Sequence, residues 1–400
     1  MAKQELSLKI VDADNHYYEP DDAWTRHIEP AFRDRAVHVV RGDDGVGRPY
    51  FGTQPLYYLD RTPLDLIGRP GSVVANKDGR YAPLAADDLI RPGEVPWFVN
   101  RDARLSWMDG GDIEAVLLWP SLGLAVEHQM RSDPPACMAN LRSFNRWLNE
   151  DWGFAYQSRV FGVPWLSLID LDGAVAELGE VIAQGARAVA LLFGPVDGRS
   201  PADPYFDPFW ALAAEAGIVV GFHGAESGYN ELLSVHWGEQ PRPPAKAQSP
   251  FQRAMFFGER PIADTLAALV LHNLFGRFPD LHVLCVENGA WWVPSLLRAI
   301  DRGARSGAYG QWLGGRFDQL PSEVFREHIT VAPNDDDDIR GLVDLLGADR
   351  IALGSDYPHP EGVAEPRRFL DGSGLDARER QLVGHDNVAA LLRLAQPVHS

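Results

Sequence analysis

The feature that most constrains the fold of this chain is a repeated alternation of short apolar segments with helical patterns. We predict strands at eight segments that are rich in β-branched and other apolar residues, namely 8–16, 114–121, 159–168, 187–194, 217–224, 281–289, 328–333 and 350–359. Continuous apolar runs are typical of parallel strands that are buried on both faces. Eight such strands alternating with helices predict an α/β protein, a single (β/α)8 TIM barrel formed by residues 1–400. A doubly wound open sheet is the main alternative, but no G-x-G-x-x-G motif follows any of these segments.

Three of the intervening segments carry the residues that start and stop helices. "DLDGAVAELGEVIAQG" begins with Asp170 and ends at Gly185, and "DPFWALAAEAG" begins with Asp207 and ends at Gly217. Both patterns predict an N-cap aspartate and a glycine that closes the helix. "NGAWWVPSLLRAIDRG" has apolar residues at helical spacing after Gly289.

One long segment, residues 17–113, does not fit the strand and helix repeat. It is rich in Gly, Pro, Asp and Tyr, and "RGDDGVGRPYFG" and "GRPGSVVANKDG" within it predict turns and not core elements. Long connections in compact domains commonly form lids or binding loops. We therefore predict that 17–113 is a long insertion after the first strand that folds over the barrel mouth. A second long connection covers roughly 225–260.

Charge and cysteine content exclude several classes of function. The formal net charge is −19, which argues against nucleic acid or an anionic membrane as a partner. The two cysteines, Cys137 and Cys285, lie far apart, so neither a disulfide framework nor a CxxC zinc site is predicted. The first residues lack the apolar core of a signal peptide, and no apolar run of 18 residues occurs. We expect a cytoplasmic homodimer that acts on a small molecule.

Polar residues at the ends of four predicted strands point to a metal site. The first strand ends in Asp14 and His16, the fifth in His223, the sixth in Glu287 and the eighth in Asp356. The active site of such a barrel lies at the carboxyl ends of its strands. A histidine at a strand end is often a core residue bonded to a carbonyl group, but this joint pattern favours metal binding. Mixed imidazole and carboxylate ligands suit Zn²⁺, Mn²⁺ or Fe²⁺, and we predict one divalent ion, Zn²⁺ first and Mn²⁺ second.

The chain resembles the metal-dependent amidohydrolase superfamily. It is most similar to the amidohydrolase-related branch that includes aminocarboxymuconate-semialdehyde decarboxylase and the resorcylate decarboxylases. The resemblance runs from "VDADNHYYEP" to "GHDNVAALLRL", and its most specific pieces are "FHG", "VENGAWWVPSLL" and "LGSDYPHPEG" after strands five, six and eight.

The resemblance implies roles for individual residues. Asp14, His16, His223 and Asp356 fall on metal-ligand positions of the family, and the residue at position 356 also handles a proton. The departure is at strand six, where the decarboxylases typically place a histidine and this chain has Glu287. That substitution leaves Glu287 as either a ligand or an acid/base.

Three functions remain open from the sequence. The first is a metal-dependent hydrolase that uses a metal-activated water, with Asp356 and Glu287 as catalytic residues. The second is a non-oxidative decarboxylase of an aromatic or unsaturated acid, and the third is a metal-binding barrel without catalysis. An ionised Glu287 would repel the carboxylate of a decarboxylase substrate unless burial protonates it, so the sequence favours hydrolysis.

Aromatic and imidazole side chains near the strand ends predict the type of substrate. We expect contacts from His359, which lies three residues beyond the strand-eight aspartate, and from Trp291, Tyr17, Trp119 and Phe222. Such a lining suits a planar or apolar organic molecule. The run "NDDDD" at 334–338 is predicted to cap the following helix and not to bind a cation.

Overall fold

Two parallel sheets form the centre of the computed structural model, which describes residues 8–43, 46–60, 64–73 and 84–394. The strands of the described chain are β1 Ile10–His16, β2 Val37–Arg41, β3 Gly47–Phe51, β4 Gln54–Pro55, β5 Ile67–Gly68, β6 Leu89–Ile90, β7 Ile113–Trp119, β8 Val160–Gly162, β9 Trp165–Leu166, β10 Ala188–Leu191, β11 Val219–His223, β12 His282–Val286 and β13 Ile329–Ala332. One parallel sheet has the order β1-β7-β8, and the other has the order β13-β12-β11-β10-β9. The fold is therefore α/β and TIM-barrel-like, as seven of the eight predicted strands indicate.

Helices separate most of the parallel strands. They are α1 Pro96–Val99, α2 Arg101–Gly110, α3 Glu127–Met130, α4 Pro134–Asp151, α5 Leu171–Ala183, α6 Asp207–Ala216, α7 Tyr229–Leu232, α8 Pro250–Phe256, α9 Glu259–Leu271, α10 Leu274–Arg277, α11 Val293–Ser306, α12 Pro321–His328, α13 Ile339–Leu346, α14 Ala377–Gln381 and α15 Asn387–Leu391. Over the described residues, none of the helices has the length and apolar content that a membrane crossing needs.

The predicted helix boundaries are only partly correct. Asp170 accepts a hydrogen bond from the Gly173 N–H and caps α5, and Gly217 ends α6 with φ at +59°, both as predicted. Asp207 is the first residue of α6 and makes no capping bond; its carboxylate instead accepts from Arg277 at 3.1 Å. The helix predicted after Gly289 is α11, which begins only at Val293.

The segment predicted as the eighth strand is not a regular strand. It makes two isolated parallel bridges, Ile351 with Val331 of β13 and Tyr357 with Asn15 of β1. Asp356 has φ at +54°, which interrupts the extended backbone that a longer ladder requires. Because these bridges reach both sheets, the segment still brings Asp356 beside the end of β1.

Residues 17–113 contain more regular structure than their turn-rich sequence predicts. β2, β3 and β4 form an antiparallel sheet, and β5 pairs with β6. "RGDDGVGRPYFG" includes all of β3, so its prediction as turns is wrong for that part, because alternate residues of β3 are buried. Of "GRPGSVVANKDG", only 68–73 lie within the described residues.

Parallel pairing fixes where the functional side chains meet. His16 lies opposite Trp119 in the pairing of β1 with β7, and His223 lies opposite Val286 in the pairing of β11 with β12. All seven residues of β1 are buried, including its charged and polar ones. The carboxyl ends of these strands therefore present buried polar groups at one edge of the sheets.

Candidate metal centre

Five predicted ligand-type residues converge on one point at the carboxyl ends of the strands. The Nε2 atom of His16 lies 3.1 Å from Asp14 Oδ1, 3.3 Å from Asp356 Oδ1 and 3.7 Å from Glu287 Oε2. The Nε2 atom of His223 lies 3.2 Å from Asp14 Oδ1 and 3.3 Å from Glu287 Oε2. Ligand atoms of Asp14, His16, His223 and Glu287 all lie within 4.8 Å of one another. The structure thus brings these five residues together.

Both histidine rings are oriented for metal binding. The Nδ1 atom of His16 lies 3.1 Å from the carbonyl oxygen of Pro120, and that of His223 lies 3.0 Å from the carbonyl oxygen of Gly224. Each ring therefore donates its Nδ1–H to the backbone and turns the Nε2 lone pair toward the cluster, as metal-bound histidines commonly do. Within the described chain, His16 Nε2 and Glu287 Oε2 are buried and have no hydrogen-bond partner. Buried polar atoms are normally satisfied, so the residues fit a divalent cation.

The charges of the cluster shift the pKa values of its members. Burial lowers the pKa of His16, but the surrounding carboxylates of Asp14, Asp356 and Glu287 outweigh it and raise that pKa well above its usual value. Burial opposes ionisation of Asp14, yet the neighbouring imidazoles of His16 and His223 hold its pKa below the usual range. Burial and the charge of Asp356 raise the pKa of Glu287. Three carboxylates thus face two imidazoles, a set of groups that suits a cation.

Asp12 joins β1 to the segment that carries Asp356. Its Oδ1 accepts from the Asp14 N–H at 3.1 Å and the Ser355 N–H at 3.0 Å. Its Oδ2 accepts from Asn15 Nδ2 at 2.9 Å and Ser355 Oγ at 2.6 Å. Burial raises the pKa of Asp12 to about 6 despite these bonds. Asp12 therefore fixes the backbone of Asp14 and of Ser355, the residue before Asp356.

Arg104 is a positioning residue that sequence reasoning did not find. Its side chain is fully buried and donates to the side chain of Asn15, to the His16 carbonyl oxygen at 2.6 Å and to the Trp97 carbonyl oxygen at 2.5 Å. An arginine on an amphipathic helix carries no sequence signal for such a role, because arginines there usually face solvent.

The backbone is strained at the two predicted acid/base residues. Glu287 has φ at +51° and Asp356 has φ at +54°, a region that residues other than glycine rarely occupy. Two glycines pack against them: a Cβ on Gly224 would lie 2.4 Å from the Glu287 carbonyl oxygen, and one on Gly362 would lie 2.4 Å from that of Asp356. Backbone strain of this kind clusters at functional sites.

His359 links the cluster to Ser121. Its Nδ1 lies 2.7 Å from Asp356 Oδ1, its Nε2 lies 2.9 Å from Ser121 Oγ, and its ring stacks on His16 at 3.9 Å. Since the Ser121 hydroxyl donates to the Tyr17 carbonyl oxygen at 2.7 Å, it accepts from His359. His359 therefore donates to both partners in this arrangement. Ser121 carried no sequence signal.

The structure does not place all the predicted substrate contacts at the cluster. Trp119 is fully buried and donates to the Ala13 carbonyl oxygen at 2.8 Å. Its ring packs 5.0 Å from that of His223, so it holds the His223 ring in place. Tyr17 stacks on Trp152 in the core. Phe222 is fully buried and precedes His223, so strand alternation turns it to the opposite face.

Trp291 also departs from its predicted position. The residue is 67% exposed and lines a separate cleft with Pro294 and Leu342. Trp291 follows Glu287 by only four positions, but the chain turns sharply at Gly289, where φ is +60°. Proximity in sequence was therefore a poor guide to proximity in space.

A small acidic cavity of about 120 Å³ adjoins the cluster. Six carboxylates line it, and no lysine or arginine does among the residues that the structure describes; the acids are Asp14, Glu287, Asp335, Asp336, Asp356 and Glu361. In the acidic run 334–338, Asp338 caps α13 by accepting from the Gly341 N–H at 2.9 Å, as predicted. The sequence did not indicate that three other members of the run, Asn334, Asp335 and Asp336, would line this cavity.

Comparisons with known proteins agree on the type of fold. The amidohydrolase family model matches residues 127–394. An amidohydrolase of Mycobacterium avium subsp. paratuberculosis K-10 is 33% identical, with a TM-score of 0.87 over 97% of this chain and 100% of that chain. No curated protein sequence matches significantly.

Two more distant solved structures share the fold. The 5-carboxyvanillate decarboxylase of Sphingomonas paucimobilis is 16% identical, with a TM-score of 0.64 over 97% of this chain and 100% of that chain. A dihydroxybenzoic acid decarboxylase of Polaromonas sp. JS666, solved with manganese and 2-nitroresorcinol, is 18% identical, with a TM-score of 0.59 over 84% of this chain and 100% of that chain.

Proposed function

Because the chain belongs to the amidohydrolase family, we propose that it is a metal-dependent hydrolase acting on a small, neutral organic substrate. The observation that carries this proposal is the charge of the site. Three carboxylates, Asp14, Glu287 and Asp356, surround the two histidine Nε2 atoms. Ionised Asp14 and Asp356 alone balance the charge of one divalent ion, so the cluster keeps no positive charge for an anionic substrate. Further acids line the adjoining cavity, so an anionic substrate would be repelled.

His16, His223 and Asp14 would hold the cation, together with Asp356. Either Zn²⁺ or Mn²⁺ fits these imidazole and carboxylate groups, and the Polaromonas decarboxylase was solved with manganese. A divalent ion held there supplies Lewis acidity toward a water molecule or a substrate oxygen. Asp12 and Arg104 keep the ligands of β1 in position from the opposite side.

Asp356 is proposed as the residue that accepts the proton of the attacking water. His359 donates to its Oδ1 at 2.7 Å and so fixes the carboxylate and favours its ionised form. Glu287 lies on the more open side of the cluster, with 27% of its side chain exposed. It is placed to return a proton to the leaving group, for which its raised pKa is favourable.

Decarboxylation of an aromatic acid is the second candidate. Two observations favour it: the fold is shared with carboxyvanillate and dihydroxybenzoate decarboxylases, and the raised pKa of Glu287 favours a protonated form that can donate to carbon. Against it stands the lack of any lysine or arginine among the described residues that line the acidic cavity.

An activity screen separates the two candidates. Metal-depleted protein is reloaded with Zn²⁺ or Mn²⁺ and offered esters, amides and cleavable diketones beside hydroxybenzoates, with CO₂ release measured in parallel. The proposal predicts metal-dependent hydrolysis of a neutral member of the panel. CO₂ release from a hydroxybenzoate without hydrolysis of any other compound would replace it with decarboxylation.

We also propose that the two parallel sheets form one closed barrel with residues 17–113 as an insertion over its mouth. The Val163 N–H donates to the Leu118 carbonyl oxygen, and the Ala190 N–H donates to the Pro164 carbonyl oxygen. These bonds support continuity between the two sheets where β8 is followed by β9. Trp97, within the insertion, donates from Nε1 to the hydroxyl group of Tyr357 at 2.8 Å, and this bond supports a position of the insertion near the mouth.

The predicted homodimer remains a proposal. Four large apolar side chains between residues 232 and 255 are exposed, and exposed apolar patches commonly mark contact surfaces; they are Leu232, Trp237, Phe251 and Met255. Light scattering of the purified protein tests the proposal, and a monomer at micromolar concentration would contradict it.

A further inference from the structure

A cavity of about 660 Å³ lies between residues of the 17–113 segment and the loop that follows β7. Its volume is several times that of the acidic cavity at the metal centre and falls in the range of small-molecule sites. Much of the wall is apolar and comes from Trp24, Val37, Val39, Leu59, Ile67 and Leu122. None of the candidate metal ligands lines it.

The cavity nevertheless shares a wall with the metal centre. Ser121 and Tyr18 line it, and both contact His359: Ser121 Oγ lies 2.9 Å from Nε2, and the two rings lie 5.9 Å apart. His359 in turn bonds to Asp356 at 2.7 Å. A single side chain therefore separates the cavity from the proposed proton acceptor.

Four charged groups in the wall are paired. Asp21 and Asp65 accept from Arg41, which lies outside the wall, at 2.7 and 2.9 Å, and Arg26 bonds to Asp151 within the wall at 2.8 Å. Paired charges leave little net field for an ionic ligand, so the wall suits a neutral one.

Glu19 is the remaining acid of the inner wall, and it too is engaged. Its carboxylate accepts from the backbone N–H groups of Leu122 at 3.1 Å and Gly123 at 3.0 Å. Arg91 and Glu94, at the rim, are exposed to solvent, which screens their charges.

We propose that this cavity binds a neutral, largely apolar organic group. This part of the assignment rests on the proposed hydrolase function: the bound group is the body of the substrate, meaning the part away from the bond that is hydrolysed. The shared wall at His359 would then place the body of the substrate next to the catalytic carboxylate.

Fluorescence titration of the metal-loaded protein with prodan, a neutral naphthalene ketone, tests the cavity directly. Gly93→Phe fills the cavity, because Gly93 lines it and a Cβ there would meet no atom within 4 Å. Gly179→Phe on α5 is the matched control, since its Cβ also meets no atom and it lies outside the cavity. We expect wild type and Gly179→Phe to bind prodan equally and Gly93→Phe to bind at least tenfold more weakly. Equal binding by all three proteins, or no binding by wild type, would overturn the proposal.

Turnover distinguishes the cavity from the proposed function. With any hydrolysed member of the panel, prodan and Gly93→Phe should each raise KM at unchanged kcat. Prodan binding that Gly93→Phe abolishes, in a protein without any hydrolase activity, would support the cavity and refute the hydrolase. Prodan that binds without raising KM would refute the cavity as the substrate subsite.

Discussion

Replacing Glu226 with glutamine should make the stability of this protein less dependent on pH. Glu226 lies three residues after His223, is 4% exposed, and accepts a hydrogen bond from the Gly228 N–H at 2.8 Å. Burial raises its pKa from the usual 4.5 to about 7. A raised pKa means that the folded state binds the proton more tightly, so folding is favoured below pH 4.5 and that contribution is lost as the pH rises through 7.

The size of the effect follows from the two pKa values. The difference between about 7 and 4.5 corresponds to about 3 kcal/mol of unfolding free energy, since one pKa unit is worth about 1.4 kcal/mol. Glutamine keeps an oxygen for the Gly228 N–H and carries no charge. The free energy of unfolding of Glu226→Gln relative to wild type should therefore increase by about 3 kcal/mol between pH 4.5 and pH 8.5.

Urea unfolding at several pH values measures this difference, and subtraction of wild type cancels the other titrating groups. Glu231→Gln is the matched control, because hydrogen bonds from Arg242 and His128 lower the pKa of Glu231 despite partial burial. Its stability relative to wild type should fall as the pH rises, the opposite sign. A Glu226→Gln difference that does not change between pH 4.5 and 8.5 would refute the reasoning.

Three further predictions concern the site. Asp356→Asn should lower kcat by about 100-fold or more, the scale of acid–base contributions, with an unchanged melting temperature; a kcat near wild type would remove Asp356 as proton acceptor. Glu287→Gln should slow turnover by at least about tenfold for the same reason, and steady-state kinetics with metal content measured in parallel would expose a role in ligation alone. Chelation with EDTA should abolish turnover and added Zn²⁺ or Mn²⁺ should restore it, whereas activity that persists in metal-free protein would argue against a metal-dependent reaction.

The metal cluster could be predicted from sequence because its members end strands. Asp14, His16, His223 and Glu287 each follow a recognisable apolar run, and parallel strands bring their ends to one edge. Asp356 is a harder case: its segment forms only isolated bridges, yet its apolar pattern still predicted a strand there, and the segment brings Asp356 beside the end of β1.

Residues that act through tertiary contacts could not be predicted in the same way. Arg104 bonds to Asn15 and to the His16 carbonyl oxygen across 88 positions of sequence, and no local pattern encodes such a contact. Phe222 was misplaced because nearness to His223 in sequence ignored the alternation of a strand, and Trp291 because the turn at Gly289 carries it to the surface. The course that the backbone takes at the end of a strand decides where such side chains lie, and amino-acid composition does not reveal that course.

The metal content of the purified protein tests the central claim most directly. Elemental analysis should find about one divalent ion per chain in wild type, since the two candidate ligand groups among the described residues share His16 and Glu287 and form one cluster. His272→Ala with His282→Ala, two histidines outside the cluster, should keep the ion. His16→Ala with His223→Ala should lose it, because both Nε2 atoms that face the carboxylates are removed. An equal metal content in this double variant and in wild type would contradict the account.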